Sequence, residues 1–216
     1  MADTFHTTFF LAGPAGKLEA TLWTTPETDG EFAALVCHPH PLFGGTMHNK
    51  VVFRAAKALQ QRGMPVLRFN FRGVEKSEGE HGAGEGEQDD VRAGLDYLTK
   101  EFPGRKIILG GFSFGSWVAL RVGCTDERVA ELIGIGIPVN NVDMNYLREC
   151  TKPKLFVQGG NDQFGSRKNV EKLFATLPEP KHLAFVEDAD HFFTGKLELL
   201  GAAIDAWMQQ RHPRPL

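Results

Sequence analysis

Residues 107–123 constrain the fold of this chain more than any other stretch. Ile107, Ile108 and Leu109 form a short apolar run of the kind that makes a buried strand. Trp117, Val118, Leu120 and Arg121 continue as a helix, so the chain must reverse direction within residues 110–115. That turn reads Gly111-x-Ser113-x-Gly115. A serine on so tight a strand-to-helix turn is held in a strained backbone conformation with its hydroxyl exposed. Such strain costs about 1–3 kcal/mol and persists only where the surroundings hold it. The flanking glycines help by leaving out side chains that would collide across the turn. The same five-residue pattern also arises by chance, around a solvated serine in an ordinary turn. A functional serine requires a base, an acid and backbone N–H donors at other strand ends.

The chain on either side supplies a consistent frame. Residues 5–12 and 17–25 read as two strands joined by the turn Gly13-Pro14-Ala15-Gly16. Residues 32–37 are a continuous apolar run, as in a central strand, and lead straight into His38-Pro39-His40-Pro41-Leu42-Phe43-Gly44-Gly45. Val52, Ala55, Ala56 and Leu59 have helical spacing, with Thr46 or Asn49 as the cap and Gly63 as the stop. A strand over residues 65–71 follows, then a loop rich in glycine and charge, then a helix marked by Val91, Gly94, Leu95 and Leu98. Beyond the serine turn come strands at 132–137, 155–157 and 183–186. Helices are marked by Val170, Leu173, Phe174 and Leu177, and by Leu197, Leu200, Ile204 and Trp207. A hairpin followed by alternating strand and helix implies a mostly parallel sheet with helices on both faces, a three-layer α/β sandwich. The expected organisation is one domain over residues 1–216.

Composition excludes several function classes. A net charge of −3 without a clustered basic excess gives no nucleic-acid footprint. The chain has no apolar run of 18 residues, so no membrane span is expected. Residues 1–8 lack the basic-then-apolar layout of a secretory signal. The three cysteines, Cys37, Cys124 and Cys150, have no metal-like spacing. Reduced thiols in a cytoplasmic protein are expected.

In parallel α/β sheets, ligands bind beyond the carboxyl ends of the strands. Ser113, the His38–Gly45 loop, Asp162 and His191 all fall there, although they are far apart in sequence. A serine hydroxyl needs an adjacent base. His191 follows the last strand and fits the chain order serine, acid, histidine. His182 precedes that strand, and His212 lies in a polar tail. Asp162, in a loop tightened by Gly159 and Gly160, is the leading acid, and Asp143 is its main competitor. Asp188 and Asp190 are too near His191 in sequence to orient it and read as loop or cap residues. An oxyanion needs backbone donors. Phe114 supplies one; the other comes from the loop after residue 37, where Pro39 and Pro41 have no N–H. His40 and Leu42 remain open as the second donor. His38, His40 and His48 match metal-ligand spacing poorly, so no metal or cofactor is expected. Residues 72–77 either line the site mouth or form a solvated loop.

Taken together, His38-Pro39-His40-Pro41, Gly44-Gly45, Asn49-Lys50 and Asn70-Phe71-Arg72-Gly73-Val74 give the chain a specific likeness. It resembles the alpha/beta-hydrolase superfamily over nearly its whole length. Within that superfamily it is similar to compact, dienelactone-hydrolase-like bacterial hydrolases and carboxylesterases. The resemblance implies an eight-stranded sheet, a Ser113–His191–Asp162 triad and an oxyanion hole from Phe114 and the His40–Leu42 loop. Dienelactone hydrolases proper carry cysteine where this chain has Ser113, which favours ester chemistry over lactones. Residues 138–153 leave no room for the several-helix lid of many relatives. An open site for a small ester with a short or accessible acyl group is therefore expected. Phe43, Asn140, Phe164 and Phe192 are its candidate substrate contacts, with Tyr146 at the border. Acyl transfer, amide or thioester hydrolysis, and a non-catalytic binding protein on the same scaffold are the alternatives. Oligomeric state is not legible.

Overall fold

The computed structural model describes residues 5–25 and 30–213. β1 (Phe5–Gly13) and β2 (Gly16–Thr24) form an antiparallel hairpin, with Gly13 opposite Gly16 at its turn. Then follow β3 (Phe32–Cys37), α1 (Lys50–Gln60), β4 (Val66–Phe69) and α2 (Glu85–Glu101). The elements β5 (Lys106–Phe112), α3 (Phe114–Gly123) and β6 (Val129–Ile135) carry the chain past the serine turn. β7 (Lys154–Gly159), α4 (Arg167–Ala175), β8 (Lys181–Val186) and α5 (Leu197–Arg211) complete it.

These strands make one eight-stranded sheet in the order β1-β2-β4-β3-β5-β6-β7-β8. β2 meets β4 antiparallel, and all pairs from β4 to β8 are parallel. The winding direction changes between β3 and β5: from β3 the chain runs outward to β4, then crosses back to β5. Ligand crevices form at such a switch point. Here the registers put Cys37 beside Gly111, so the His38 loop and the serine turn leave the sheet as neighbours.

Period-2 alternation divides the core between the two faces of the sheet. Leu35, Leu67, Leu109, Leu132 and Phe156 pack with Val91 and Leu95 of α2, Val118 and Val122 of α3, and Val170 of α4. Ala34, Val36, Ile108, Ile133, Leu155 and Val157 face the other way, onto α1 and α5 through Val52, Leu59, Leu200, Ile204 and Trp207. Both faces are covered, which is why the central strands read as unbroken apolar runs.

Element ends follow local chemistry. Asn49 caps α1, its Oδ1 accepting the Val51 N–H at 2.9 Å, and Gly63 turns the chain out at φ +80°. β4 stops at Phe69, two residues before the expected end. There Asn70 N–H goes to Glu19 O and Phe71 N–H to the His38 ring. α2 starts at Glu85, six residues before Val91, because Glu87 reaches back to the Gly84 N–H at 2.7 Å. β6 spans Val129–Ile135, and Gly136 turns away at φ +54°. His182 lies inside β8, opposite Leu155, at the end of the sheet away from the serine. The connection from β6 to β7 contains one 3-10 turn, Asn145–Glu149, which packs on α3. Tyr146 Oη donates to Trp117 O at 2.9 Å, so the connection is fastened to the helix flank and forms no lid.

Candidate active site

Ser113 links β5 to α3 at φ 55° and ψ −121°, a region that a non-glycine residue enters only under strain. The neighbouring glycines make the turn possible. A Cβ on Gly111 would lie 2.3 Å from Gly115 O, and one on Gly115 would lie 2.3 Å from His38 O. The Ser113 N–H donates to Ile135 O at 2.9 Å, which ties the strained residue to β6.

Three side chains from three strand ends meet in one hydrogen-bonded row. Ser113 Oγ lies 2.9 Å from His191 Nε2, and His191 Nδ1 lies 2.7 Å from Asp162 Oδ2. A carboxylate only accepts, so the proton on the ring sits at Nδ1 and Nε2 is free to accept from the serine hydroxyl. Asp162 and His191 are both buried. Besides the ring, Asp162 Oδ2 accepts from Gln158 Nε2 at 2.7 Å. Its Oδ1 accepts from the Phe164 N–H at 2.8 Å and the Gly165 N–H at 3.2 Å. Four donors thus hold the carboxylate in one orientation. Such a row can take a proton from the hydroxyl and carry the resulting imidazolium against the carboxylate.

His191 is positioned by its loop and by an absent side chain. Asp188 and Phe193 turn at φ 53° and 52°, and Asp190 Oδ1 accepts the Thr194 N–H at 2.9 Å. That bond, chiefly, draws the Asp190 carboxyl below its usual range. On the inner side, a Cβ on Gly136 would lie 2.9 Å from the Phe112 ring and 3.3 Å from His191 Cε1. Asp143 is elsewhere, accepting the Asn145 N–H at 2.9 Å.

The loop after β3 lies on the other side of the serine. His38 is buried, donates from Nδ1 to Pro39 O at 2.7 Å and accepts the Phe71 N–H at Nε2, 2.9 Å away. Burial pushes its pKa down to about 4, so the ring is neutral at pH 7. His40 begins a 3-10 turn, Pro41–Phe43, and its Nδ1 accepts the Leu42 N–H at 3.2 Å. Leu42 is therefore engaged within the loop. Among the described residues, the N–H groups of His40 and Phe114 have no acceptor within the protein. Asn70 fastens the far end of the loop: its Oδ1 accepts the Met47 N–H at 2.8 Å, and Arg68 NH1 donates to Met47 O at 2.6 Å. Gly45 is required because a Cβ there would sit 2.1 Å from Pro39 O.

The apolar candidates divide. Phe164 and Phe192 place their rings 4.6 Å and 5.2 Å from the His191 ring, and Phe43 lies 4.7 Å from His40. Phe43 is 85% exposed and Phe192 53% exposed, so both stand at an open rim. Asn140 is not part of that wall. Its Nδ2 donates to Gln163 O at 2.9 Å and its Oδ1 accepts from Asn169 at 2.8 Å, so it braces the loop that carries Asp162. Arg72 likewise turns inward onto the buried Asp90, at 2.8 Å, rather than toward a site mouth.

Sequence reasoning missed four contributors. Gln158 is a lone polar residue at the end of an apolar strand, and that position was its only signal. His38 and Asn70 were visible only as parts of a motif. His81 lies 5.0 Å from the His40 ring, with Nδ1 2.8 Å from the buried Glu87 carboxylate. Its glycine-rich loop gave no periodicity to place it. Among the described residues, no three His, Cys, Asp or Glu side chains gather in a group that could hold a metal ion. No described helix is long and apolar enough to cross a membrane.

A family model for the alpha/beta hydrolase domain matches residues 34–210. An uncharacterized Rickettsia prowazekii protein, RP471, is 36% identical over 208 residues, covering 92% of this chain and 87% of its own. The crystal structure of XC6422 from Xanthomonas campestris, described as an a/b serine hydrolase without lid, is 35% identical. It superposes with a TM-score of 0.89 over 98% of this chain and 97% of that one. The esterase domain of a Rhodothermus marinus protein shares the fold at 21% identity, with a TM-score of 0.75 over 95% and 98% of the two chains.

Proposed function

Because the chain belongs to the alpha/beta-hydrolase family, we propose that it is a serine carboxylesterase acting on esters with short or accessible acyl groups. The hydrogen-bonded row Ser113–His191–Asp162 carries this conclusion. In this mechanism Ser113 Oγ attacks the ester carbonyl while His191 Nε2 takes its proton. Asp162 keeps the ring in the accepting tautomer and stabilises the imidazolium. The negative oxygen of the tetrahedral intermediate is received by the N–H groups of Phe114 and His40. They are the suitable donors because neither has an acceptor within the protein among the described residues. His191 then returns the proton to the departing alcohol. Water, activated by the same ring, releases the acid from the acyl-enzyme.

The absence of a lid and the exposed Phe43 and Phe192 support an accessible rather than an enclosed acyl site. Phe43, Phe164 and Phe192 are its apolar contacts in this proposal. A fluorophosphonate probe gives the direct test, with a covalent adduct expected on Ser113 and none in Ser113→Ala. Folded protein that leaves the probe unreacted would sink the proposal. A series of p-nitrophenyl esters of increasing chain length then defines the acyl preference, expected to favour the shorter members.

A further inference from the structure

The fold explains only half of the pair Asn49-Lys50. Asn49 caps α1, its Oδ1 accepting the Val51 N–H at 2.9 Å. Lys50, at the first position of the helix, has no ion-pair or hydrogen-bond partner among the described residues, and neither has Lys57 two turns on. Lys50, Arg54 and Lys57 share one face of α1. Helix stability alone argues against that pattern. A positive charge at the start of a helix opposes its dipole, and like charges one turn apart repel.

These side chains border two adjoining cavities that share His48, Lys50 and Leu197. The first, about 480 Å³, is lined also by Thr46, Phe192 and Thr194, and by no carboxylate. It begins beside the proposed base, since the Phe192 ring lies 5.2 Å from the His191 ring. The second, about 370 Å³, continues along α1 past Phe53 and Arg54 to Lys57. Its carboxylate, Glu198, is taken up by Arg54. Behind Phe53 lies another cation. Arg68 is 2% exposed, stands 5.6 Å from the Phe53 ring, donates from NH1 to Met47 O at 2.6 Å and leaves its Nε without a partner. His48 does have an acid neighbour, Glu75 Oε2 at 4.0 Å. The groove is thus positively charged in a chain whose net charge is −3. Two free ammonium groups beside one cavity match a single small anion rather than a nucleic-acid backbone.

We propose that this groove is a specificity site for esters whose alcohol part carries a carboxylate or phosphate, with Lys50 as the direct contact. The proposal rests on the esterase reading above and names the substrate class for it. His191 hands its proton to the departing alcohol, so a cavity that begins at the His191 ring belongs to the alcohol side of the ester. Phe192 and Phe53 offer apolar walls to the body of the alcohol, and Lys50, which lines both cavities, offers a charged hydrogen-bond donor to its anionic end. Lys57 and the buried Arg68 act at longer range, by raising the positive potential along the groove. The anion is held and then leaves with the alcohol; no bond to it forms or breaks.

The test compares 4-butyryloxybenzoate and 4-butyryloxyphenyl phosphate with the neutral methyl 4-butyryloxybenzoate, at low and high ionic strength. At low ionic strength kcat/KM for the better anionic ester is expected to exceed that of the neutral one about tenfold, and the advantage should shrink as salt is added. The larger of the two anionic values names the oxyanion that the groove takes. Lys50→Glu is expected to raise KM for that ester about tenfold, and Lys57→Gln about twofold, each leaving turnover of the neutral ester unchanged. That unchanged turnover also reports an intact fold. The proposal fails if the neutral ester is as good a substrate as both anions, or if Lys50→Glu leaves the anionic KM where it was. A failure of the esterase reading looks different: the neutral ester is not turned over and a fluorophosphonate leaves Ser113 unlabelled. The groove is still read in that case by titrating 4-hydroxyphenyl phosphate and 4-hydroxybenzoate into the full chain by NMR. Shifts centred on Lys50 and Phe192, lost in Lys50→Glu, are expected; shifts confined to other surfaces, or none, would overturn the proposal.

Discussion

Two buried histidines flank the serine turn, and their surroundings give them opposite characters. His38, after β3, gives both ring nitrogens to backbone groups, Pro39 O and Phe71 N–H. His191, after β8, gives one nitrogen to a buried carboxylate and the other to a side-chain hydroxyl. The first ring hydrogen-bonds no charged group, and burial outweighs the pull of Glu87, so it is neutral at pH 7. The second has a carboxylate that four donors hold in place. A histidine near a serine is therefore informative only through what each of its nitrogens faces. His38 acts as a peg that holds the loop, and His191 has the geometry of a base.

The strongest way to break this contrast is to remove the proposed chemistry. Ser113→Ala and His191→Ala are each expected to lower kcat by about 10⁴-fold or more, and Asp162→Asn by about 10⁴-fold, with the fold retained. Ester turnover together with circular dichroism checks this; an active Ser113→Ala would end the proposal. His38→Ala is the reverse case. It leaves the Phe71 N–H and Pro39 O unpaired beside a cavity, and is expected to cost about 2–4 kcal/mol of stability in urea titration.

The pH dependence of stability separates the two rings further. The His38 pKa is about 4 in the folded chain, against about 6.5 unfolded. The unfolded chain therefore binds this proton first as pH falls. The contribution is fully present above pH 6.5 and is lost between pH 6.5 and 4, about 3 kcal/mol in all. His38→Gln is expected to flatten that part of the stability curve while leaving the pH profile of kcat/KM unchanged. Parallel stability curves for wild type and variant would contradict the assignment. The smallest effect is expected at Gln158. Gln158→Leu removes one donor from Asp162 and should lower kcat about tenfold with KM little changed.

Most of the fold, and the three side chains of the row, were legible because their signals are local. The serine turn is written in two glycines, and Asp162 and His191 each stand just past an apolar strand. What escaped notice depends on where side chains point after packing. Nothing in Pro39-His40-Pro41-Leu42 reveals that the His40 ring captures the Leu42 N–H, leaving the His40 N–H as the donor without an acceptor. Asn140 was expected at the pocket because it lies on the short segment after β6, yet its amide is taken up by Gln163 O, Ser166 and Asn169. Gln158 was hidden in an apolar run. Its amide is buried between the Ile137 N–H and the Asp162 carboxylate, a pairing that only the third dimension brings about.

The connection between β6 and β7 lies flat against α3, fastened by Tyr146 to Trp117 O. For the proposed esterase, that fastening is expected to shape the kinetics as well. With no cover to swing aside, there is no step that a lipid–water interface could trigger. Turnover should then rise smoothly with the concentration of dissolved ester and level off where the substrate begins to form micelles, instead of jumping upward there.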